Sequence, residues 1–299
     1  MGRGVISKPV REDREVWRTD LNALSTLSVL VLAWLVFYFS AKALRLDRYG
    51  LDVRPLYALY KSTRLNASLE RLGRRGPRLW RVIGNIGVAA AFGEVAFMTY
   101  LLFQNLMRFV YAPEQASPVV PLIPGVTVRL QSLPWFLAAA GIVILTHELA
   151  HGVQCAVEGV PIRYSALLLA VVTFGGAVEP DDEAMEAAET MSKMRIFAAG
   201  SLVNLVTGLL AILASALLYR YLPPSARIFL QWLYFISINL AMVNMLPVYP
   251  LDGGQMLNTY IASMRWRGRT LQRAAMYGFI ALIASNVVLS LMRFGLIPL

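Results

Sequence analysis

His147-Glu148-Leu149-Ala150-His151 is the stretch whose residue types can do chemistry. The chain has two histidines, and both are here. Glu148 is the one charged residue between Leu130 and Val157. In a helix, residues i and i+4 lie on one face, so both imidazoles can reach one ion. Imidazole suits zinc, and the carboxylate between them fits a general base acting on water beside a metal. Two neutral histidines leave such an ion under-coordinated, because a catalytic site takes three protein ligands and keeps one position open. The third ligand must be a carboxylate or Cys155. Asp252 is preferred: it lies just past a proline-broken span end, where freed backbone can turn a side chain inward. Cys155 stands four residues after His151 on the same face, so spacing does not exclude it. A lone cysteine in an apolar span, however, usually packs as a small hydrophobe.

The elements that must position these residues are membrane spans. The 299 residues are 57% hydrophobic and only 15% charged, against about 25% charged in a soluble domain. Mean hydropathy is +0.56. The apolar residues come in blocks close to the ~20 needed to cross a bilayer. A metal-seeking group at that depth is costly and marks a function. Net charge is +10. The basic residues flank apolar spans, where they meet anionic headgroups and set topology, so the excess does not point to nucleic acid. A single cysteine excludes an intrachain disulfide. The first apolar stretch has span length and no cleavage pattern after it, so it is expected to stay as an anchor.

The spacing predicts an all-α polytopic membrane protein with about six transmembrane helices. The spans are placed at Leu21–Ala41, Val82–Met107, Pro134–Val157, Ile196–Tyr219, a fifth from Ile228 broken at Pro247 and Pro250, and Ala274–Met292. Residues 1–20 form a polar N-terminal segment, and 21–133 hold two spans with a basic loop. Residues 134–265 hold a three-span core, and 266–299 a last span. In the basic loop, Leu56, Leu59, Tyr60, Leu69 and Leu72 recur at loosely helical spacing. They suggest either an amphipathic helix in the interface or a solvated linker. Asn66-Ala-Ser68 is a formal glycosylation sequon, discounted because that loop is placed inside. Glu94, near the middle of the second span, is expected to face the bundle interior or a water cavity, as a gate, a proton group or, by preference, a structural hydrogen-bond partner. Within residues 161–180 the apolar part is too short for a comfortable span and ends at the Gly175-Gly176 pair. It reads as a small membrane-embedded β-hairpin or re-entrant segment, tolerated at depth where it is buried in protein or lines a cavity. The acidic run Asp181 to Glu189 reads as the start of the next helix.

Of the 28 Lys and Arg, 18 fall in loops 42–81, 158–195 and 263–273. The positive-inside rule puts those loops in the cytoplasm. His151 then lies about 9 Å, and His147 about 15 Å, from the cytoplasmic end of its helix at 1.5 Å per residue.

Three blocks in order make the sequence resemble the site-2 protease family of intramembrane zinc metalloproteases. They are His147-Glu-Leu-Ala-His151, then Gly200-Ser-Leu-Val-Asn204, then Asn244-Met-Leu-Pro-Val-Tyr-Pro-Leu-Asp-Gly-Gly254. The likeness covers about residues 134–265. It implies one Zn2+ per chain held by His147, His151 and Asp252, with Glu148 activating water. It implies that Asn204 contacts the oxyanion or the substrate backbone. It also implies that Phe174, Gly175, Gly176 and Asn244 bind an unwound transmembrane protein or peptide, added as a strand. The implied activity is hydrolysis of a peptide bond in or near a transmembrane segment, in a multi-pass cell-membrane protein with its site nearer the cytoplasmic face. Two other classes compete. A prenyl-protein type of membrane metalloprotease needs a downstream glutamate ligand, and Glu183, Glu186 and Glu189 lie in a polar stretch. A metal transporter should spread its ligands along several spans, whereas these cluster.

Overall fold

The computed structural model describes residues 28–29, 31–63, 66–124, 126–170, 174–263 and 268–295. Expectations for the polar segment 1–20 and the start of the first span lie outside those residues.

The first described helix is α1 (Val31–Ala43). It is followed by β1 (Leu51–Val53), β2 (Tyr57–Ser62), α2 (Asn66–Arg74) and α3 (Pro77–Tyr111). Then come α4 (Leu133–Glu158), β3 (Ile162–Ala170), β4 (Phe174–Pro180), α5 (Asp182–Ala187) and α6 (Thr190–Leu218). The chain closes with α7 (Pro224–Asn244), α8 (Asp252–Ser263) and α9 (Gly268–Phe294). Among the described residues, α3, α4, α6, α7 and α9 are long and apolar enough to cross a membrane. A backbone in hydrocarbon must satisfy its own N–H and C=O groups, which long helices do. Their outer faces carry bare apolar side chains such as Phe97, Phe103, Leu209, Leu213 and Val288. The protein is integral to a membrane. The spans expected from Val82, Pro134, Ile196, Ile228 and Ala274 fall on these five helices. The remaining one of the six, Leu21–Ala41, is described only in its second half, as the shorter α1.

The helices are not the whole fold. A four-stranded antiparallel sheet runs in the order β1-β2-β3-β4. The hairpin expected at 161–180 is β3–β4, with Ser165 opposite Val178 and Leu167 opposite Gly176. The other two strands correct the reading of the basic loop. Leu59 and Tyr60 lie in β2 and Leu56 in the turn before it, not on an amphipathic helix. Local pattern could not reveal this, because Ala58 is the one buried residue in β2. What fixes the strand is pairing with β3, far along the chain, as in Ala58 with Leu169. Trp34 of α1 anchors the hairpin by donating its indole N–H to the Pro55 carbonyl, 2.7 Å. The second half of the loop is the amphipathic helix α2. Its Leu69 packs with Val153, Val157 and Ile162. The sequon asparagine Asn66 donates its amide to the Ile162 carbonyl, 2.8 Å.

Helix α6 sits among α3, α4 and α7. Small residues let membrane helices approach closely, and Ala139, Ala198 and Ala241 are fully buried. Polar groups tie the bundle. Arg195 of α6 forks onto Glu158 at the end of α4, at 2.9 and 3.0 Å. Asn286 of α9 accepts from Asn105 of α3, 3.0 Å. The acidic run is a separate short helix, α5, rather than the start of α6. Asp181 caps it by accepting from the Ala184 N–H, 3.0 Å. That bond and the Arg163 guanidinium hold the Asp181 carboxyl below the usual carboxylate range.

Candidate metal centre

Helix α4 places His147 and His151 one turn apart, both buried, with their Nε2 atoms 3.1 Å from each other. Asp252 enters from another element as the first residue of α8. Its Oδ2 lies 3.2 Å from His147 Nε2 and 3.3 Å from His151 Nε2. The chain turns back here because the helix α7 ends at Asn244, ahead of Pro247. Gly253 then fits where any side chain would collide with the Met245 carbonyl. Among the described residues, His147, His151 and Asp252 form the cluster able to hold an ion, their donor atoms all within 4.8 Å of one another. Cys155 is not in it; its thiol is buried.

The donors fit zinc. Tetrahedral ligands at 2.0–2.1 Å from an ion lie about 3.3–3.4 Å apart, close to the 3.1–3.3 Å separations here. Gly200 of α6 supplies the room. A Cβ there would stand 2.5 Å from His147 Cε1 and from His151 Nε2. The Gly200-to-Asn204 block is thereby explained by contact. Ile196, Gly200 and Asn204 follow at i, i+4 and i+8 along α6 and meet the two histidines of α4. The Ile196 carbonyl lies 2.7 Å from His151 Nδ1, and Asn204 Nδ2 lies 2.9 Å from His147 Nδ1. No side-chain pattern announces a backbone acceptor, so Ile196 was not readable from the sequence. Asn204 is fully buried against His147.

Glu148 points toward β4. Its Oε2 accepts the Val178 N–H, 3.0 Å. Gly176 lies beside it, and a Cβ there would come within 2.8 Å of Glu148 Cγ. The expected substrate segment therefore runs directly past the expected base. Gly175, Gly176 and the backbone of Phe174 lie in β4. Asn244 Nδ2 is 3.0 Å from His147 Nε2 and 3.5 Å from Asp252 Oδ2. A cavity of about 500 Å³ opens onto His147, Glu148, His151, Asn244, Asp252 and the Ala177–Pro180 stretch of β4. Behind the centre, the Ser201 hydroxyl of α6 donates to the Glu94 carboxylate of α3.

The arrangement can hold a divalent ion, place a carboxylate beside it and present a strand edge to an extended peptide. Comparison with known proteins agrees. The model of peptidase family M50 matches residues 135–226 and 223–285, half of the chain. A protein of Arabidopsis thaliana named membrane-bound transcription factor site-2 protease homolog is 28% identical over 66% of this chain and 37% of its own length. A putative zinc metalloprotease of Mycobacterium tuberculosis is 32% identical over 44% of this chain and 33% of its own. Another putative zinc metalloprotease, of Synechocystis, is 26% identical over 59% and 44%. The chain thus spans between a third and a half of the length of these relatives. With the family model matched over half of the sequence and its three motif blocks meeting at one point in the fold, the chain belongs to peptidase family M50, the site-2 protease family.

Proposed function

We propose that the protein is an intramembrane zinc metalloprotease, cleaving a peptide bond in or near a transmembrane segment of a membrane protein. One observation carries this: His147, His151 and Asp252 converge within 3.1–3.3 Å beside Glu148, on a cavity wall inside a bundle of span-length helices. The three residues would hold one zinc ion, which when bound polarises a carbonyl and makes water acidic enough to lose a proton near neutral pH. Glu148 takes the proton of the attacking water and delivers it to the leaving amine. Asn244 Nδ2 faces the cavity and is placed to donate to a carbonyl oxygen drawn into the site.

A transmembrane helix must unwind before its backbone can be attacked, and an added strand satisfies the groups this frees. β4 is the edge strand nearest Glu148, which supports Phe174, Gly175 and Gly176 as the docking segment. The proteolytic core is residues 134–265, with the site open to the cytoplasmic side, as the distribution of Lys and Arg favours. Clustering of the donors at one point weighs against a transport path.

The test uses purified protein and a model transmembrane substrate. Glu148→Gln is expected to abolish cleavage while keeping about one zinc per chain, because the glutamate is not a ligand. Asp252→Ala is expected to lose zinc. A wild-type protein that binds no zinc, or a fully active Glu148→Gln, would overturn the reading.

A further inference from the structure

We infer that Asn204 is a positioning residue for His147: its amide oxygen accepts the His147 Nδ1 proton and so fixes which nitrogen of the ring faces the metal. This rests on the metal site proposed above. Three observations lead to it. The Nε2 atoms of both histidines point at Asp252 Oδ2, so Nε2 is the ligand nitrogen of each ring. A neutral imidazole that ligates through Nε2 carries its proton on Nδ1, which then needs an acceptor. For His151 the acceptor is the Ile196 carbonyl at 2.7 Å. For His147 the group at Nδ1 among the described residues is the Asn204 amide at 2.9 Å.

Asn204 lies with Nδ2 toward the ring, a donor facing a donor once the ring is ligated. Its Oδ1 is buried with no hydrogen-bond partner among the described residues. Turning the amide about its last torsion exchanges oxygen and nitrogen without moving any other atom. That turn pairs the Nδ1–H with Oδ1. Each histidine is then held from behind by an oxygen of α6, at positions 196 and 204, two helical turns apart. The role differs from donation to the reacting carbonyl. Asn204 is fully enclosed and lines no part of the cavity, which Asn244 does.

Partners of this kind are worth about 10–100-fold in metal affinity. Zinc affinity is measured on the purified full chain by competition with a chelator, with no substrate present. Asn204→Ala and Asn204→Leu remove the acceptor and are expected to weaken zinc binding about 10–100-fold. Asn204→Asp, which keeps an acceptor and cannot donate, is expected to hold zinc at least as tightly as wild type. Wild-type affinity in the alanine and leucine variants would overturn the inference. So would an aspartate variant that loses zinc as they do, since the amide would then act as donor or filler. If the apolar variants fail to fold, the aspartate variant decides alone. A wild-type chain that binds no zinc sinks the metalloprotease reading itself, a separate result.

Discussion

At the scale of single residues, the centre depends as much on an atom that is missing as on those present. Gly200 leaves the space into which both imidazoles project. Gly200→Ala adds one methyl group, and it must push His147 and His151 out of line. Zinc affinity is expected to fall about tenfold or more, comparable to loss of an outer-shell partner. Titration of the variant against a chelator checks this, and unchanged affinity would show that the rings have other room. The motif itself was plain in the sequence, since residue type and helical spacing alone bring His147 and His151 together. The direction of the Asn204 amide was not, because the same side chain can serve a histidine or a substrate, and only the fold decides.

At the scale of elements, α4 and α6 are locked by more than the histidines. The Glu158 carboxylate is nearly inaccessible, and it takes the Arg195 fork and the Ser192 hydroxyl at 2.6 Å. Removing one member of a buried pair leaves an uncompensated charge, costing roughly 3–5 kcal/mol. Arg195→Leu is expected near the lower end, about 3 kcal/mol, because Arg81 still stands 3.9 Å from Glu158. Replacing both with leucine should recover most of that loss. Thermal unfolding in detergent distinguishes the two, and a double variant no better than Arg195→Leu would contradict it. The long helices α3, α4, α6, α7 and α9 were legible because a span's length and apolarity are local properties of the chain. β1 and β2 were not. Their register is written in β3, and a stretch such as Tyr57–Ser62 carries too little alternation to declare itself. α2 was half-legible, through Leu69 and Leu72, because helical spacing survives within nine residues.

At the scale of the whole molecule, the two halves of the metal centre come from distant parts of the sequence. α4 brings the histidines, and the turn from α7 into α8 brings Asp252. An ion that binds only the folded chain adds stability as RT ln(1 + [L]/Kd), about 4 kcal/mol when free metal exceeds Kd a thousandfold. Stripping the metal from wild-type protein is therefore expected to lower Tm by several degrees. In Asp252→Ala the same treatment should change Tm little. Equal shifts in both proteins would mean that the carboxylate is no ligand. Charge distribution and span order were readable at this scale. The cavity was not, since its walls come from α4, β4 and the α7–α8 turn at once.

The stripe of Ile196, Gly200 and Asn204 against His147 and His151 has a mechanical consequence. A helix that rotated by one residue would swing its contact face by about 100° and lose all three contacts together. α4 and α6 are thus keyed like a shaft in its slot, and a peptide chain has to reach the cavity without either helix turning against the other.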